Sequence, residues 1–199
     1  MSADKSGPTG QWLRRIVESF TGEPQDLEQL SDMLAEARDR GLIDGDVLAM
    51  LDGVLQVSEM QVRDVMVPRS QMVVVQREDP PEKILPAVVE SGHSRFPVVG
   101  EDRDEVAGIL LAKDLLRFFA EGGEGDFDIR ECLRPAVFIP ESKRLNVLLK
   151  EFRVAHNHMA IVVDEYGGVS GLLTIEDVLE QIVGDIGDEY DVDEVEGIR

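Results

Sequence analysis

The stretch "VSGLLTIEDVLEQI" (residues 169–182) is an imperfect copy of "VAGILLAKDLLRFF" (106–119). In each, a short apolar run around a glycine passes into an amphipathic helical pattern with an acid near its start. Working outward, the copying continues in the same order. "VRDVMVP" (62–68) returns as "IRECLRP" (129–135), and "EKILPAVVESGHS" (82–94) as "LNVLLKEFRVAHNH" (145–158). "RFPVV" (95–99) returns as "MAIVV" (159–163). A repeat of this length marks one supersecondary unit that cannot bury its apolar face alone. Each copy reads strand, helix, strand, strand, helix, which is α/β (α+β) alternation. Two such copies packed sheet to sheet share a core, related by a pseudo-twofold axis, with two similar clefts between them.

The organisation follows from the repeat. Residues 1–61 hold an N-terminal segment and helices, 62–119 the first copy, 120–127 a Gly-rich acidic linker, 128–183 the second copy, and 184–199 an acidic tail. Within the first region, Leu27, Leu30, Leu34 and Ala37 fall on one helical face with Gly41 as a stop, and a second helix begins near Asp46. "QWLRRIVESF" (11–20) is weakly amphipathic and reads as a frayed or docking helix rather than a membrane-surface one. "MSADKSGPTG" (1–10) has the composition of a disordered start.

Composition excludes several functions. The chain carries 41 Asp and Glu against 20 Lys and Arg, a net charge of −21. Nucleic-acid backbones require clustered cations, so no nucleic-acid partner is expected. The apolar fraction of 43% supports a core. No apolar run approaches the roughly 20 residues of a transmembrane span, and no signal peptide is visible. The one cysteine, Cys132, allows no internal disulfide, which fits a cytoplasmic protein. There is no P-loop, nucleophile elbow or Cys–His set, so no catalytic residues and no enzyme are expected. His156 and His158 stand two apart, but the repeat puts them at a helix-to-strand turn, and no metal site is assigned to them. The acidic run 185–196 lacks calcium-loop spacing and reads as a solvated linker.

The chemistry-bearing feature is Thr174 followed by Asp177 at the opening of the last helix. The pair resembles a capping box with Asp in place of Glu or Gln. An ionised Asp also has two oxygens able to accept both hydroxyls of a ribose, and a helix entrance offers free N–H groups to anions. Cap and pocket rim are compatible roles. Gly171 allows a close approach by a ligand or by a neighbouring strand.

"VMVP" (65–68), "GHSRFPVV" (92–99) and "GLLTIED" (171–177) together resemble a pair of cystathionine-β-synthase-type (CBS) domains. Gly171, Thr174 and Asp177 fit that family's G-x-x-[ST]-x-x-D adenosine signature. "MLDGVLQVSEMQVRDVMVPRSQM" (50–72) and "VVDEYGGVSGLLTIEDVLEQIVGDIGDEYD" (162–191) further resemble the CorC family of bacterial magnesium and cobalt efflux proteins, in its soluble branch. The resemblance implies a regulatory module that binds AMP or ATP, with or without Mg²⁺, in a slot shared between copies. Met66, Val67, Pro68, Phe96 and Pro97 of the first copy would face Gly171, Thr174 and Asp177 of the second. Arg95, with Ser94 and His93 beside it, would meet the phosphates. The pseudo-symmetric site would use Asp114, His158, Met159 and Ala160 with Arg134 and Pro135. It would be weaker, because Leu111 stands where Thr174 stands in the other copy. The resemblance also implies a homodimer and a membrane transporter partner. Relatives commonly continue into a small C-terminal transporter-associated domain, so this chain reads as truncated or as an unusually short member. The alternative to a nucleotide sensor is a dimerisation module with empty clefts.

Overall fold

The structure is a computed structural model describing residues 24–102, 104–123 and 127–184. The readings for residues 1–20, for part of the linker and for the acidic run 185–196 lie outside the described residues. The chain divides into two compact units, 1–55 and 56–199. In the first, α1 (Leu27–Asp39) starts at Asp26, whose carboxylate accepts the Gln29 N–H at 2.8 Å. Gly41 follows with a φ of +74°, the left-handed conformation that stops a helix. Helix α2 (Gly45–Glu59) is opened by Asp44, which accepts the Val47 N–H at 2.8 Å. The Ser31 hydroxyl donates to Asp52 at 3.0 Å, tying α1 to α2. No residue of α1 is buried, whereas Leu48 of α2 is.

The second unit holds the repeat. Its elements in order are β1 (Val67–Pro68), β2 (Val75–Gln76), α3 (Pro81–Ser91), β3 (Arg95–Val99), β4 (Val106–Leu111), α4 (Ala112–Ala120), α5 (Ile129–Cys132), β5 (Phe138–Pro140), α6 (Leu145–Ala155), β6 (Met159–Val163), β7 (Val169–Thr174) and α7 (Ile175–Val183). One sheet runs β2-β3-β4 and the other β1-β7-β6-β5. In each, a parallel pair spans a helix (β2 with β3 over α3, β5 with β6 over α6) and an antiparallel pair follows.

The copies exchange their opening segments. β1 leaves the first copy and pairs antiparallel with β7 of the second, Val67 opposite Leu172 and Pro68 opposite Gly171. Reciprocally, Arg134 bridges to Ile109 of β4 with two main-chain hydrogen bonds of 2.9 Å. The repeat alignment matches Val67 with Arg134 and Leu172 with Ile109, so the register on one side is the register on the other. The signature glycines serve this crossing. A Cβ on Gly171 would collide with the Val67 carbonyl oxygen, and one on Gly108 would lie 2.8 Å from that of Arg134.

Packing follows the exchange. Val57 and Val62 are buried in the second copy's core with Leu145, Leu148, Phe152 and Leu173. Ile129 is buried in the first copy's core with Ile84, Phe96, Leu110 and Leu115. A third cluster, Met72, Ile109, Ile161, Val169 and Leu172, joins the two copies. Fully burying one such aliphatic side chain contributes roughly 1.5–3 kcal/mol, so neither copy stands well alone. Among the described residues no helix is long and apolar enough to cross a membrane.

Candidate functional site

Thr174 ends β7 and is the N-cap of α7. The capping box forms: the Asp177 N–H donates to Thr174 Oγ1 at 3.2 Å, and Asp177 Oδ2 accepts the Thr174 N–H at 2.7 Å. The hydroxyl itself donates to Asp177 Oδ2 at 2.7 Å. Its one proton is therefore committed inside the protein, and Thr174 can meet a ligand only as an acceptor. Asp177 Oδ1 makes no hydrogen bond to any described residue. The cap fixes the carboxylate through one oxygen and leaves the other half free.

Both residues line a cavity of about 360 Å³ whose wall also includes Val67, Met72, Val73, Ser94, Arg95, Met159, Leu172 and Glu176. Its size falls in the range of small-molecule sites. One wall is apolar and comes from the crossing segment of the first copy and from β7. The polar part of the lining is Asp177 and Glu176 from the α7 entrance and His93, Ser94 and Arg95 from the start of β3. The Arg95 guanidinium forms no ion pair or hydrogen bond with any described residue. A free guanidinium and a carboxylate with a free oxygen on one partly apolar cavity suit a ligand with an apolar ring, hydroxyl groups and an anionic group.

The structure brings Val67, Ser94, Arg95, Thr174 and Asp177 together, and it leaves five other candidates off the cavity wall. Met66 packs against the second copy's core, Pro68 is exposed, and Phe96 and Pro97 are buried. Gly171 is taken up by the strand crossing. Strand alternation explains Met66, Pro68 and Phe96, since the neighbours of a wall residue point to the opposite face. Gln71, Met72, Val73, Gly92, Leu172 and Glu176 also line the cavity and are not among the site residues the sequence singles out. Gly92 had a visible signal: it caps α3 with a φ of +67°, the turn that delivers Ser94 and Arg95.

A second cavity of about 410 Å³ holds Leu111, Arg134, Pro135, His158 and Met159. Ala160 is fully buried in the second copy's core. Asp114 lies outside this cavity. Its Oδ2 accepts from Arg134 Nη2 at 3.1 Å, and its side chain is only 9% exposed. Leu111 supplies no cap to α4. The counterpart of Asp177 is thus both uncapped and spent on an arginine. Arg95 and Met159, equivalent in the repeat, line both cavities. His156 takes the left-handed conformation at the end of α6, φ +53°, where the first copy has Gly92. His158 Nδ1 lies 3.5 Å from Glu176. Among the described residues no group of three or more His, Cys, Asp or Glu converges as metal ligands.

The CBS domain family matches residues 62–121 and 127–184, and a family described as the N-terminal region of NMB0537 matches residues 22–57. The magnesium and cobalt efflux protein CorC of Vibrio cholerae is 50% identical over all 199 residues, which cover 68% of its length. The chain belongs to the CorC family of tandem CBS-domain proteins. It spans 60 to 63% of other CorC relatives, from Pasteurella multocida and Escherichia coli. Among solved structures, the CBS domain of a bacterial CNNM/CorC family Mg²⁺ transporter in complex with ATP superposes with a TM-score of 0.64 at 42% identity. It covers 69% of this chain and 96% of its own. A CBS-domain pair from Klebsiella pneumoniae with bound AMP gives a TM-score of 0.53 at 29% identity, covering 63% and 99%.

Proposed function

We propose that the chain is an adenine-nucleotide-binding regulatory module of a magnesium and cobalt efflux system. One observation carries this reading: the capping box of α7 leaves Asp177 Oδ1 free on a cavity that also holds the unpaired Arg95. The free carboxylate oxygen accepts from the ribose hydroxyls, the apolar wall of Val67, Met72 and Leu172 covers the base, and Arg95 meets the phosphates. The nucleotide is AMP or ATP. With ATP, Mg²⁺ would arrive bound to the phosphates rather than at a resident metal centre. Binding draws segments of both copies onto one ligand and so changes their packing, which is the signal passed to a transporter partner. The module works as a homodimer in the cytoplasm and performs no catalysis. The ATP and AMP complexes of the two related CBS modules support the ligand class, and the CorC relatives support the transport role.

Isothermal titration of the full chain with AMP, ATP and Mg-ATP tests this. Saturable binding at one site per chain is expected. Asp177→Ala, in a variant that keeps its fold, is expected to weaken it roughly 10- to 100-fold, the worth of hydrogen bonds to a charged group. Absence of binding, or affinity indifferent to Asp177→Ala, refutes the reading and leaves the dimerisation module in its place.

A further inference from the structure

We infer that Arg69 and Asp104 form a one-sided latch that positions the apolar wall of the first cavity, setting nucleotide affinity without touching the nucleotide. The inference rests on the proposed function for its ligand and on observed hydrogen bonds for its mechanics. Arg69 follows β1 directly. Its Nη1 donates to Asp104 Oδ1 at 2.6 Å and to the Val169 carbonyl at 3.3 Å. The same Asp104 oxygen accepts the Val169 N–H at 2.8 Å. Three elements are tied at one point: the crossing segment, the loop between β3 and β4, and the start of β7. Two belong to the first copy and one to the second.

The latch sits inside the stretch that builds the cavity wall. Val67 precedes it, and Gln71, Met72 and Val73 follow it, all lining the cavity, whereas Arg69 and Asp104 do not. Residues Arg69–Gln71 form a single 3-10 turn, so fixing Arg69 fixes the direction in which Met72 and Val73 leave. Exposed ion pairs are usually worth little. This one differs in kind, because each partner also bonds the main chain of a strand in the other copy. The Asp104 carboxylate is held below the usual aspartate range, first by the Val169 N–H and then by Arg69, although partial desolvation opposes both. The charged acid is thus bonded to the strand itself, not merely near an arginine.

The repeat supplies an internal control. Arg69 corresponds to Ala136, and Asp104 to Gly167. Neither counterpart can form an ion pair, so the second crossing has no latch. The latch accompanies only the cavity whose carboxylate is capped and half free. A wall held by the latch contacts the base end of a ligand, so its loss affects every adenine ligand alike.

The test measures adenosine, AMP and ATP binding to the full chain and to Arg69→Ala, Asp104→Asn and Arg69→Lys. Arg69→Ala and Asp104→Asn are expected to weaken all three ligands by one common factor, about 3- to 10-fold, with partial recovery in Arg69→Lys. Arg95→Ala is the contrast: it should weaken AMP and ATP but spare adenosine. Unchanged affinity in both Arg69→Ala and Asp104→Asn overturns the latch. A loss that grows from adenosine to ATP also overturns it, since Arg69 would then be a phosphate contact. Should the wild-type chain bind no nucleotide, the functional reading falls by itself, and amide hydrogen exchange of the ligand-free chain judges the latch. The Val169 amide, which donates to Asp104, and the Met72 amide, which donates to the Arg69 carbonyl at 3.3 Å, should exchange about tenfold faster in Arg69→Ala. Unchanged exchange there refutes it.

Discussion

Gly171→Ala tests the strand exchange on which the rest of the architecture depends. The new methyl group would meet the Val67 carbonyl oxygen well inside contact distance and Met66 Sδ at 3.2 Å. The sulfur can swing aside, but the carbonyl belongs to β1, which is fixed by its pairing with β7. Relief requires β1 to back away from its partner. Overpacking of this kind costs about 1–3 kcal/mol, and replacing a glycine recovers about 0.4–1 kcal/mol from the unfolded chain. An approach this close to a main-chain oxygen belongs to the upper part of that range, about 2–3 kcal/mol, so the net loss is about 1–2.6 kcal/mol, or a fall in Tm of about 2–10 °C for a unit of this size. Thermal unfolding followed by circular dichroism measures it. Gly108→Ala makes the equivalent change on the other side, where the Arg134 oxygen stands at 2.8 Å and the Leu133 Cβ at 3.0 Å, and should cost less. An unchanged or raised Tm for Gly171→Ala would show that β1 does not sit on β7 as described. So would a larger loss for Gly108→Ala, since it reverses the order of the two approaches.

Other expectations follow from the site. Thr174→Val removes the cap hydroxyl and should cost about 1 kcal/mol of stability. It should weaken nucleotide binding less than Asp177→Ala does, because the Thr174 N–H still anchors Asp177. The Asp104 carboxyl should titrate by NMR below an exposed aspartate, and Arg69→Ala should move it up. Because the folded form holds the ionised acid more tightly, its stabilising contribution is present above the ordinary aspartate pKa. It is lost as pH falls through the lowered folded value. Burial raises the Cys132 thiol above its usual range, with the Asp114 charge adding to it. Iodoacetamide at neutral pH should therefore modify Cys132 more slowly than a cysteine in a short peptide, and an equal rate would contradict the burial.

Much of the fold was legible because one chain carries two versions of the same unit. Comparing "GLLTIED" with "GILLAKD" locates the helix openings and sets the two sites apart, since Leu111 has no hydroxyl to give. The crossing was less legible. "VMVP" reads as the first strand of the first copy, yet Val67 pairs across to Leu172, because local patterning cannot tell which sheet edge a two-residue strand will reach. The cavity wall was half legible for a related reason. Alternation sends successive strand residues to different environments, so Met159 lines the cavity while Ala160 is buried in the core. Glu176 and Met72 carry no motif and enter the cavity only through the geometry of the α7 entrance and the Arg69 turn. Asp114 looked equivalent to Asp177 by position, and its diversion to Arg134 is a contact between segments that no spacing rule foresees.

The exchanged opening strand also constrains how the protein can be made. Val67 and Leu172 are separated by about a hundred residues. At translation rates of about 5–20 residues per second, β1 waits roughly 5 to 20 s for its partner strand to be synthesised. During that interval the first copy is complete except for the segment it will receive from residues 129–135, and β1 has no sheet to join. A ribosome pausing between the copies would lengthen the exposure of an unpaired strand, and a second nascent chain nearby could supply a β7 of its own. The crossing that joins the two copies in the finished chain is, during synthesis, the point most open to exchange between chains.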